Sequence, residues 1–350
     1  MVATQLDATM GMGESYNKNS KVQLSTIDLS IPSVRKAIDA LDVDCLSSDP
    51  FIIADFGCAQ GLNSLHIMKI IINYLQQTNK NIRELLVVHN DLPTNDWTSI
   101  LKLLADDNSY KSVISDRSFY EQCLPNNSLS IGYTSTSIHW LSKMPCNLSN
   151  HCLCFFAVGD ELAAFQDQSR LDYIQFLEHR SHELRPGGVL ILANVCLDNQ
   201  GKSGLENVID LLYKCAQQAS FTEQELLDYT IPFYARSYKE FVDEELFTRY
   251  SLEVVQSECV PAFWFTQWRE RQMTLDEFAR LIVSYFRAWS EPTIQQTLIR
   301  SGRAKEDIAE ILNQLWNLCE QEIKQQPDHL PSLVHHAFII LKKKLAVVQE

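Results

Sequence analysis

Short apolar runs alternate with amphipathic segments over the first two hundred residues. Residues 51–54 are apolar and end at Asp55, and a helical pattern follows over 62–75. Further apolar runs, each with turn residues or a helical pattern beside it, occupy residues 85–88, 129–133 and 189–193. This order predicts strands joined by helices, and therefore an α/β fold with a mostly parallel sheet.

Helical patterns dominate the second half of the chain. The periodicity predicts helices over 168–184, 205–216, 222–229, 275–289 and 307–324, and a late strand near 338–341. We therefore divide the chain into four segments. They are 1–50, an N-terminal segment and helix that closes over a ligand; 51–200, a ligand-binding α/β core; 201–335, a mainly helical cap that binds substrate; and 336–350, a strand that returns to the core.

Composition narrows the classes of partner. The net charge of -14 argues against a nucleic-acid partner, because binding to phosphates needs a basic surface. No apolar run approaches the roughly 20 residues of a membrane span. The 10 cysteines are scattered and residues 1–10 lack the pattern of a signal peptide, so we expect a cytoplasmic protein with reduced thiols.

Four possible metal ligands are close in sequence. Cys146, His151, Cys152 and Cys154 have a spacing that fits no common zinc site. The apolar residues 152–156 instead predict a buried strand. We expect no metal here.

The first strand ends in a turn that favours ligand binding. Asp55 is followed by Gly57-Cys-Ala-Gln-Gly61, and ligands of open α/β sheets bind at the carboxyl ends of strands. Asp91 follows the second strand, where a carboxylate can accept hydrogen bonds from both ribose hydroxyls; the alternative is a turn-forming Asp before Leu-Pro. The separation of 36 residues and the absence of G-x-G-x-x-G disfavour a dinucleotide-dependent dehydrogenase.

Two polar segments are open to two interpretations each. Residues 11–23 are either a disordered leader or a segment that folds over a ligand, with Tyr16, Ser20 and Gln23 as polar contacts. His139 and Trp140 either hold a carboxylate beside an apolar pocket or pack as core side chains.

Several stretches together resemble a known family. They are 15–23, 55–63, 90–96, 118–120, 137–145 (Ser-Ile-His-Trp-Leu-Ser-Lys-Met-Pro) and 231–234 (Ile-Pro-Phe-Tyr). In this order they are similar to the SABATH methyltransferases, which methylate small carboxylic acids or xanthine nitrogens. The resemblance implies a Rossmann-like class I methyltransferase sheet with a mostly helical cap, S-adenosylmethionine as cofactor, a small-molecule acceptor and a homodimer.

The resemblance also implies roles for individual residues. Ser20 and Asn63 would hold the methionine carboxylate of the cofactor, with Tyr16, Asp55, Gly57 and Cys58 at the same end. Asp91 and Leu92 would contact the ribose, and Ser118 and Phe119 the adenine. Gln23 and Trp140 would orient the acceptor carboxylate, with Thr136 and His139 beside it.

Two positions depart from the family pattern. Thr136 stands where the family usually has Tyr, which leaves more room or polarity for the acceptor. Residues 227–230 (Leu-Asp-Tyr-Thr) lack the two oxygen ligands of a magnesium site found in some members, so we predict no metal. Two alternatives to a carboxyl methyltransferase stay open: N-methylation of an indole- or xanthine-like compound, and a binding protein without turnover.

Overall fold

The computed structural model describes residues 15–42, 50–78, 82, 84–107, 109–330 and 333–345. The first fourteen residues, with positions 11–14 of the predicted N-terminal segment, lie outside this range, as do 43–49 and 346–350. The strands are β1 (Phe51–Phe56), β2 (Leu85–Asn90), β3 (Lys111–Ser115), β4 (Leu129–Ser135), β5 (Leu184–Val195), β6 (Leu252–Ala262) and β7 (Val334–Lys343).

Helices precede, connect and cap the strands. In chain order they are α1 (Ser15–Asn19), α2 (Lys21–Asp39), α3 (Leu62–Gln77), α4 (Trp97–Asp106), α5 (Gly159–Glu183), α6 (Glu206–Gln218), α7 (Glu223–Asp228), α8 (Tyr238–Phe241), α9 (Glu244–Arg249), α10 (Thr266–Arg269), α11 (Leu275–Arg300) and α12 (Lys305–Gln325).

The seven strands form one sheet in the order β3-β2-β1-β4-β5-β7-β6. The first five are parallel, and β7 pairs antiparallel with both β5 and β6. Every residue of β1 and β4 is buried, as expected for a parallel sheet covered on both faces. Because β1 and β2 are adjacent and parallel, Asp55 and Asp91 are brought to the same edge of the sheet.

Some of the secondary structure differs from what the sequence predicts. Strands β3 and β6 were not predicted, and the prediction of a strand over 152–156 is wrong. That segment contains the 3₁₀ turn Cys154–Phe156. The carbonyl of Cys152 accepts a hydrogen bond from the Ile231 N–H at 2.8 Å, so this backbone is satisfied by the cap and not by the sheet.

The sequence Arg185-Pro-Gly-Gly188, which is typical of a turn, lies within β5. Pairing with β4 passes from Leu129 opposite Leu184 to Ile131 opposite Val189, so the residues between are looped out as a bulge. Gly187 has φ +80°, a conformation that glycine adopts without steric cost.

Helix α1 lies between the core and the cap. Tyr16 is buried against Ala59, in the turn after β1, and against Ala288 of α11. Tyr16, Ser20 and Gln23 are all at most 8% exposed, so the interpretation of residues 15–23 as a disordered leader is wrong. Tyr16 and Gln23 instead line a cavity that is described below.

Candidate active site

Two adjoining cavities open at the carboxyl ends of the parallel strands. The first, here called the loop-side cavity, has about 510 Å³ of space between atoms. Its lining consists of Gly57, Asp91, Leu92, Ser118, Phe119, Tyr120, Ser137, Trp140, Leu141 and Ser142.

The second, here called the cap-side cavity, has about 560 Å³ of such space. Its lining consists of Tyr16, Gln23, Thr26, Thr136, His139, Trp140, Leu153, Val195, Leu205, Ile209, Phe233, Trp264, Tyr285 and Trp289. Trp140 lines both cavities, so its indole stands between them.

Asp91 is held in place by two backbone donors. Its Oδ2 accepts from the Ala59 N–H at 2.7 Å and its Oδ1 from the Leu92 N–H at 2.8 Å. Burial raises the pKa of Asp91 to about 6, although the two backbone hydrogen bonds oppose the rise. Each carboxylate oxygen keeps a second lone pair, so the group still accepts hydrogen bonds from a ligand.

The turn after β1 depends on Gly57. Its φ is +96°, and a Cβ there would collide with the side chain of Ser137. The backbone of this turn therefore lies directly against the segment that follows β4. Ser137 is a contact that the sequence analysis assigned to no role.

The remaining predicted cofactor residues lie beside the cavities. Tyr16 lines the cap-side cavity and is close enough to Asn63, Asp55 and Asp91 for each to act on its pKa, which burial raises. Burial likewise raises the pKa of Asp55 to about 7. The Asn63 amide donates to the Ser20 carbonyl at 3.5 Å. These side chains therefore form one polar group between the first strand and α1.

The side chain of Cys58 does not lie where its predicted role beside the cofactor would place it. Its side chain is buried with Leu65 and Ile100, in a cluster between α3 and α4. Only the backbone of Cys58 follows the turn, where its N–H donates to the Asn90 carbonyl at 3.0 Å.

The cap-side cavity contains buried polar atoms with no protein partner. Gln23 Oε1, His139 Nδ1 and Trp140 Nε1 have no hydrogen bond within the described part of the chain. Burial, followed by the charge of Arg236, lowers the pKa of His139 to about 3, so its imidazole is neutral at pH 7. No lining residue of this cavity is Lys or Arg. The cavity is thus apolar with a few neutral hydrogen-bonding groups.

Thr136 has an unusual backbone conformation at this point. Its φ is +50°, which is rare for a β-branched residue. Its N–H donates to the Ala193 carbonyl at 2.8 Å, which fixes the point where the chain leaves the sheet. Gln23, Thr136, His139 and Trp140, the four predicted acceptor-binding residues, all line the one cavity.

Sequence reasoning missed most of the apolar lining. Thr26, Leu153, Val195, Leu205 and Ile209 looked like ordinary helix and strand positions, with no signal that separates a pocket wall from a core. The aromatic run 263–268 did carry a signal, since aromatic side chains between helices favour core or cap lining, and Trp264 lies in the cavity wall.

At positions 227–230, which correspond to a magnesium site of some SABATH members, the Thr230 hydroxyl bonds to other residues of the chain. Tyr229 is fully buried, and Thr230 donates to the Leu227 carbonyl at 3.0 Å and accepts from the Leu148 N–H at 2.9 Å. Among the described residues, no three His, Cys, Asp or Glu side chains come together as a metal-binding group.

Comparison with known proteins decides the family. A family model described as SAM dependent carboxyl methyltransferase matches residues 4–344. The chain belongs to this family. The resemblance to SABATH methyltransferases is therefore confirmed, and the protein is an enzyme that uses S-adenosylmethionine as methyl donor for a small-molecule acceptor.

Individual relatives agree with the family. A probable S-adenosylmethionine-dependent methyltransferase from Arabidopsis thaliana is 34% identical over 260 residues, which are 66% of this chain and 72% of that protein. Salicylate carboxymethyltransferase from Clarkia breweri is 29% identical over 274 residues, 73% of this chain and 76% of that protein.

A solved structure confirms the fold of this carboxyl methyltransferase. Loganic acid methyltransferase with SAH has a TM-score of 0.78 and 21% identity, and the match covers 97% of this chain and 100% of that one. The sheet is therefore the class I methyltransferase sheet with a helical cap.

The loop-side cavity suits the nucleoside part of this cofactor. Asp91 offers paired oxygens for a diol, and Phe119 offers an aromatic face for adenine in the same cavity. Ser118 adds a hydroxyl. The side chains of Asp91, Ser118 and Phe119 are therefore of chemical types that fit the nucleoside part of S-adenosylmethionine.

None of the helices in the described part of the chain is long and apolar enough to cross a bilayer.

Proposed function

We propose that this enzyme methylates the carboxylate oxygen of a small, mainly apolar acid and so forms its methyl ester. One observation carries the proposal. The cap-side cavity is apolar except for a few neutral groups, and three of these, on Gln23, His139 and Trp140, have buried atoms without a protein partner. Buried polar groups are normally hydrogen-bonded, so the missing partner is the acceptor.

Gln23 and Trp140 are proposed to orient the acceptor carboxylate. The Trp140 indole N–H can only donate, and the Gln23 amide presents its NH₂ to the cavity after exchange of its oxygen and nitrogen positions. A carboxylate needs such donors. A carboxylic acid with a pKa near 4 is already ionised at pH 7, so the reaction needs no general base.

His139 and Thr136 complete the acceptor site in this proposal. With a pKa of about 3 the His139 imidazole stays neutral, so it offers one donor and one acceptor without a charge. Thr136 supplies a small wall where a larger side chain would reduce the space for the acceptor.

On the cofactor side, the proposed roles follow the family pattern. Ser20 and Asn63 hold the methionine carboxylate, with Tyr16, Asp55, Gly57 and the Cys58 backbone at that end; Asp91 and Leu92 hold the ribose, and Ser118 and Phe119 the adenine. When bound, S-adenosylmethionine supplies an electrophilic methyl group for in-line displacement. The protein's own contribution is alignment, because the reacting atoms must lie about 3 Å apart.

We also propose that the enzyme is a cytoplasmic homodimer and has no nucleic-acid or membrane partner. The acidic net charge of -14 supports the absence of a nucleic-acid partner. The homodimer rests on the family resemblance. Its test is the molar mass in solution from light scattering.

N-methylation is the second candidate. The neutral His139, with an unpartnered Nδ1, favours it in one respect, since this atom could receive a proton from a ring N–H. The pKa of about 3 makes that imidazole a weak base, which is why the carboxylate is preferred.

The experiment uses methyl-labelled S-adenosylmethionine and a panel of aromatic, terpenoid and indolic acids. The same acids as pre-formed methyl esters, and xanthine- and indole-type heterocycles, serve as controls. We expect label in one or more acids and none in the corresponding esters. Label in the esters or only in the heterocycles would contradict carboxyl methylation.

A further inference from the structure

The cap contributes a hydrogen-bond donor that the proposed mechanism does not use. Trp289 lies on α11, is 8% exposed and lines the cap-side cavity. Its Nε1 is buried and has no hydrogen-bond partner in the described part of the chain. An indole N–H can only donate, so the cavity holds a second unused donor besides that of Trp140.

Neighbouring side chains do not satisfy this N–H. Tyr285 lies beside it, with ring centroids 5.7 Å apart and planes tilted by 58°. Burial raises the pKa of Tyr285 and the nearby Trp289 indole opposes that rise, but the contact lacks the geometry of a regular hydrogen bond. Phe286, at 6.4 Å between centroids, has no acceptor atom.

The location of Trp289 separates it from other unpartnered indoles. Trp97 and Trp316 also have an Nε1 without a partner, but neither belongs to the lining of the cap-side cavity. Trp289 differs from both because it belongs to the lining of the cavity that the acceptor would fill.

The two donors of the cavity come from different layers. Trp140 follows β4 in the core, whereas Trp289 lies on α11 in the cap. The lining also contains apolar Leu153, Val195 and Ile209. An acceptor that meets both donors has hydrogen-bonding oxygens at two positions on an apolar skeleton.

The second oxygen group is uncharged. The lining contains no Lys or Arg, so a second carboxylate would be buried without a counter-charge. A keto, ether or hydroxyl oxygen accepts one hydrogen bond without that cost.

We propose that the acid methylated by this enzyme carries a second, uncharged oxygen acceptor away from its carboxylate, and that Trp289 Nε1–H recognises it. This inference rests on the proposed function for the identity of the first group. It names a substrate class, oxygenated apolar acids, and makes Trp289 a specificity-determining residue.

The test compares acids that differ only in this oxygen. The probes are 4-acetylbenzoic, 4-acetylphenylacetic and 3-(4-acetylphenyl)propanoic acids, each paired with its 4-isopropyl counterpart of nearly equal shape. Calorimetry on protein saturated with S-adenosylhomocysteine measures the Kd of each acid, and a labelled-methyl assay measures ester formation separately. We expect the keto member to bind about tenfold more tightly at one of the three spacings.

Three variants test whether the Trp289 N–H causes the preference for the keto acids. Trp289→Phe should reduce the ratio of the two Kd values to about one while the Kd of the isopropyl acid changes less than about threefold. Tyr285→Phe should keep the preference, because it leaves the indole in place. Trp316→Phe makes the same chemical change in the neighbouring helix α12 and should also keep it.

The outcomes separate this inference from the proposed function. No keto preference at any spacing, a preference that survives in Trp289→Phe, or no binding of any of the six acids overturns the inference. Binding with a Trp289-dependent preference but no ester formation leaves the inference standing and overturns the proposed carboxyl methylation. Ester formation without a keto preference overturns the inference alone.

Discussion

Asp55 and Asp91 are two buried carboxyl groups at the end of neighbouring strands. Burial raises the pKa of Asp55 to about 7 and that of Asp91 to about 6, and Asp91 adds to the rise at Asp55. The site therefore holds carboxyl groups that titrate near neutral pH in the absence of ligand. Strongly shifted carboxyl pKa values of this kind are typical of functional sites.

The pH dependence of stability tests this arrangement in Asp55→Asn. Between pH 4 and 7 the folded protein binds more protons at Asp55 than the unfolded chain, so its free energy of unfolding falls as pH rises. In Asp55→Asn this fall in the free energy of unfolding is absent. We expect it to be more stable than the wild type at pH 8, by on the order of 2–4 kcal/mol, and no more stable at pH 4.

Urea unfolding at pH 4, 6 and 8 measures the difference. Affinity for S-adenosylhomocysteine should fall at least about tenfold in the same variant, since a contact to a charged ligand is lost. Asp106→Asn, which changes an exposed carboxyl on α4, is the matched control. A stability difference between Asp55→Asn and wild type that stays constant with pH would show that Asp55 does not titrate as described.

At the scale of elements, α5 holds the loop that lines the loop-side cavity. Arg180 donates to the Phe119 carbonyl at 2.8 Å and to the Glu121 carbonyl at 2.9 Å. It also forms a fully buried ion pair with Glu183 at 2.7 Å. Glu183 in turn accepts from the backbone N–H groups of Cys123 and Leu124. One turn of helix thereby fixes the position of Phe119.

Arg180→Met should be strongly destabilising. It leaves the buried Glu183 carboxylate without its ion-pair partner, although the Cys123 and Leu124 N–H groups still donate to it. Removal of one partner of a buried ion pair typically costs about 3–5 kcal/mol. Differential unfolding in urea measures this, and affinity for S-adenosylhomocysteine should fall because the loop is released. The matched control is Lys214→Met, which removes the exposed ion pair with Asp210 and should cost less than about 1 kcal/mol. Equal losses in the two variants would contradict the role of α5.

The elements that could be predicted are those with a simple periodicity. Strands β1, β2 and β4 are mostly buried and rich in apolar residues, and helices α3, α6 and α12 each bury one mainly apolar face. Strand β6 lies at an edge of the sheet and most of its residues are partly exposed or exposed, so its sequence mixes polar and apolar residues. Edge strands of this kind carry little of the signal on which sequence prediction depends.

At the scale of the whole molecule, single residues of the site could be predicted on its core side, whereas on its cap side only the segment that contributes to the wall, 201–335, could be predicted. Asp91 and Gly57 follow from strand ends and turn chemistry, and Gln23, His139 and Trp140 from family stretches. Trp289 and Tyr285 depend on how α11 packs over the sheet, which no local pattern specifies. Cys58 lies in the turn after β1, as its place in the sequence indicates. Its thiol, however, is buried in a cluster with Ile100, which the sequence did not predict.

The two cavities meet at Trp140. Its indole lines both cavities, its Nε1 has no partner in the described protein, and it packs edge to face on Phe233 at 6.2 Å between ring centroids. If Trp140 orients the acceptor, loss of its N–H should slow methyl transfer far more than it weakens binding of S-adenosylmethionine.

Trp140→Phe keeps an aromatic ring in this place and removes only the indole N–H donor and part of the ring. The measurement is kcat/KM for the acid identified by the labelled assay, set beside the Kd of S-adenosylmethionine by calorimetry. We predict a loss in kcat/KM of about 10²-fold or more with a Kd within about threefold of wild type, and little change of either in Trp316→Phe. Equal losses of kcat/KM and cofactor affinity, or an unchanged kcat/KM, would contradict the account.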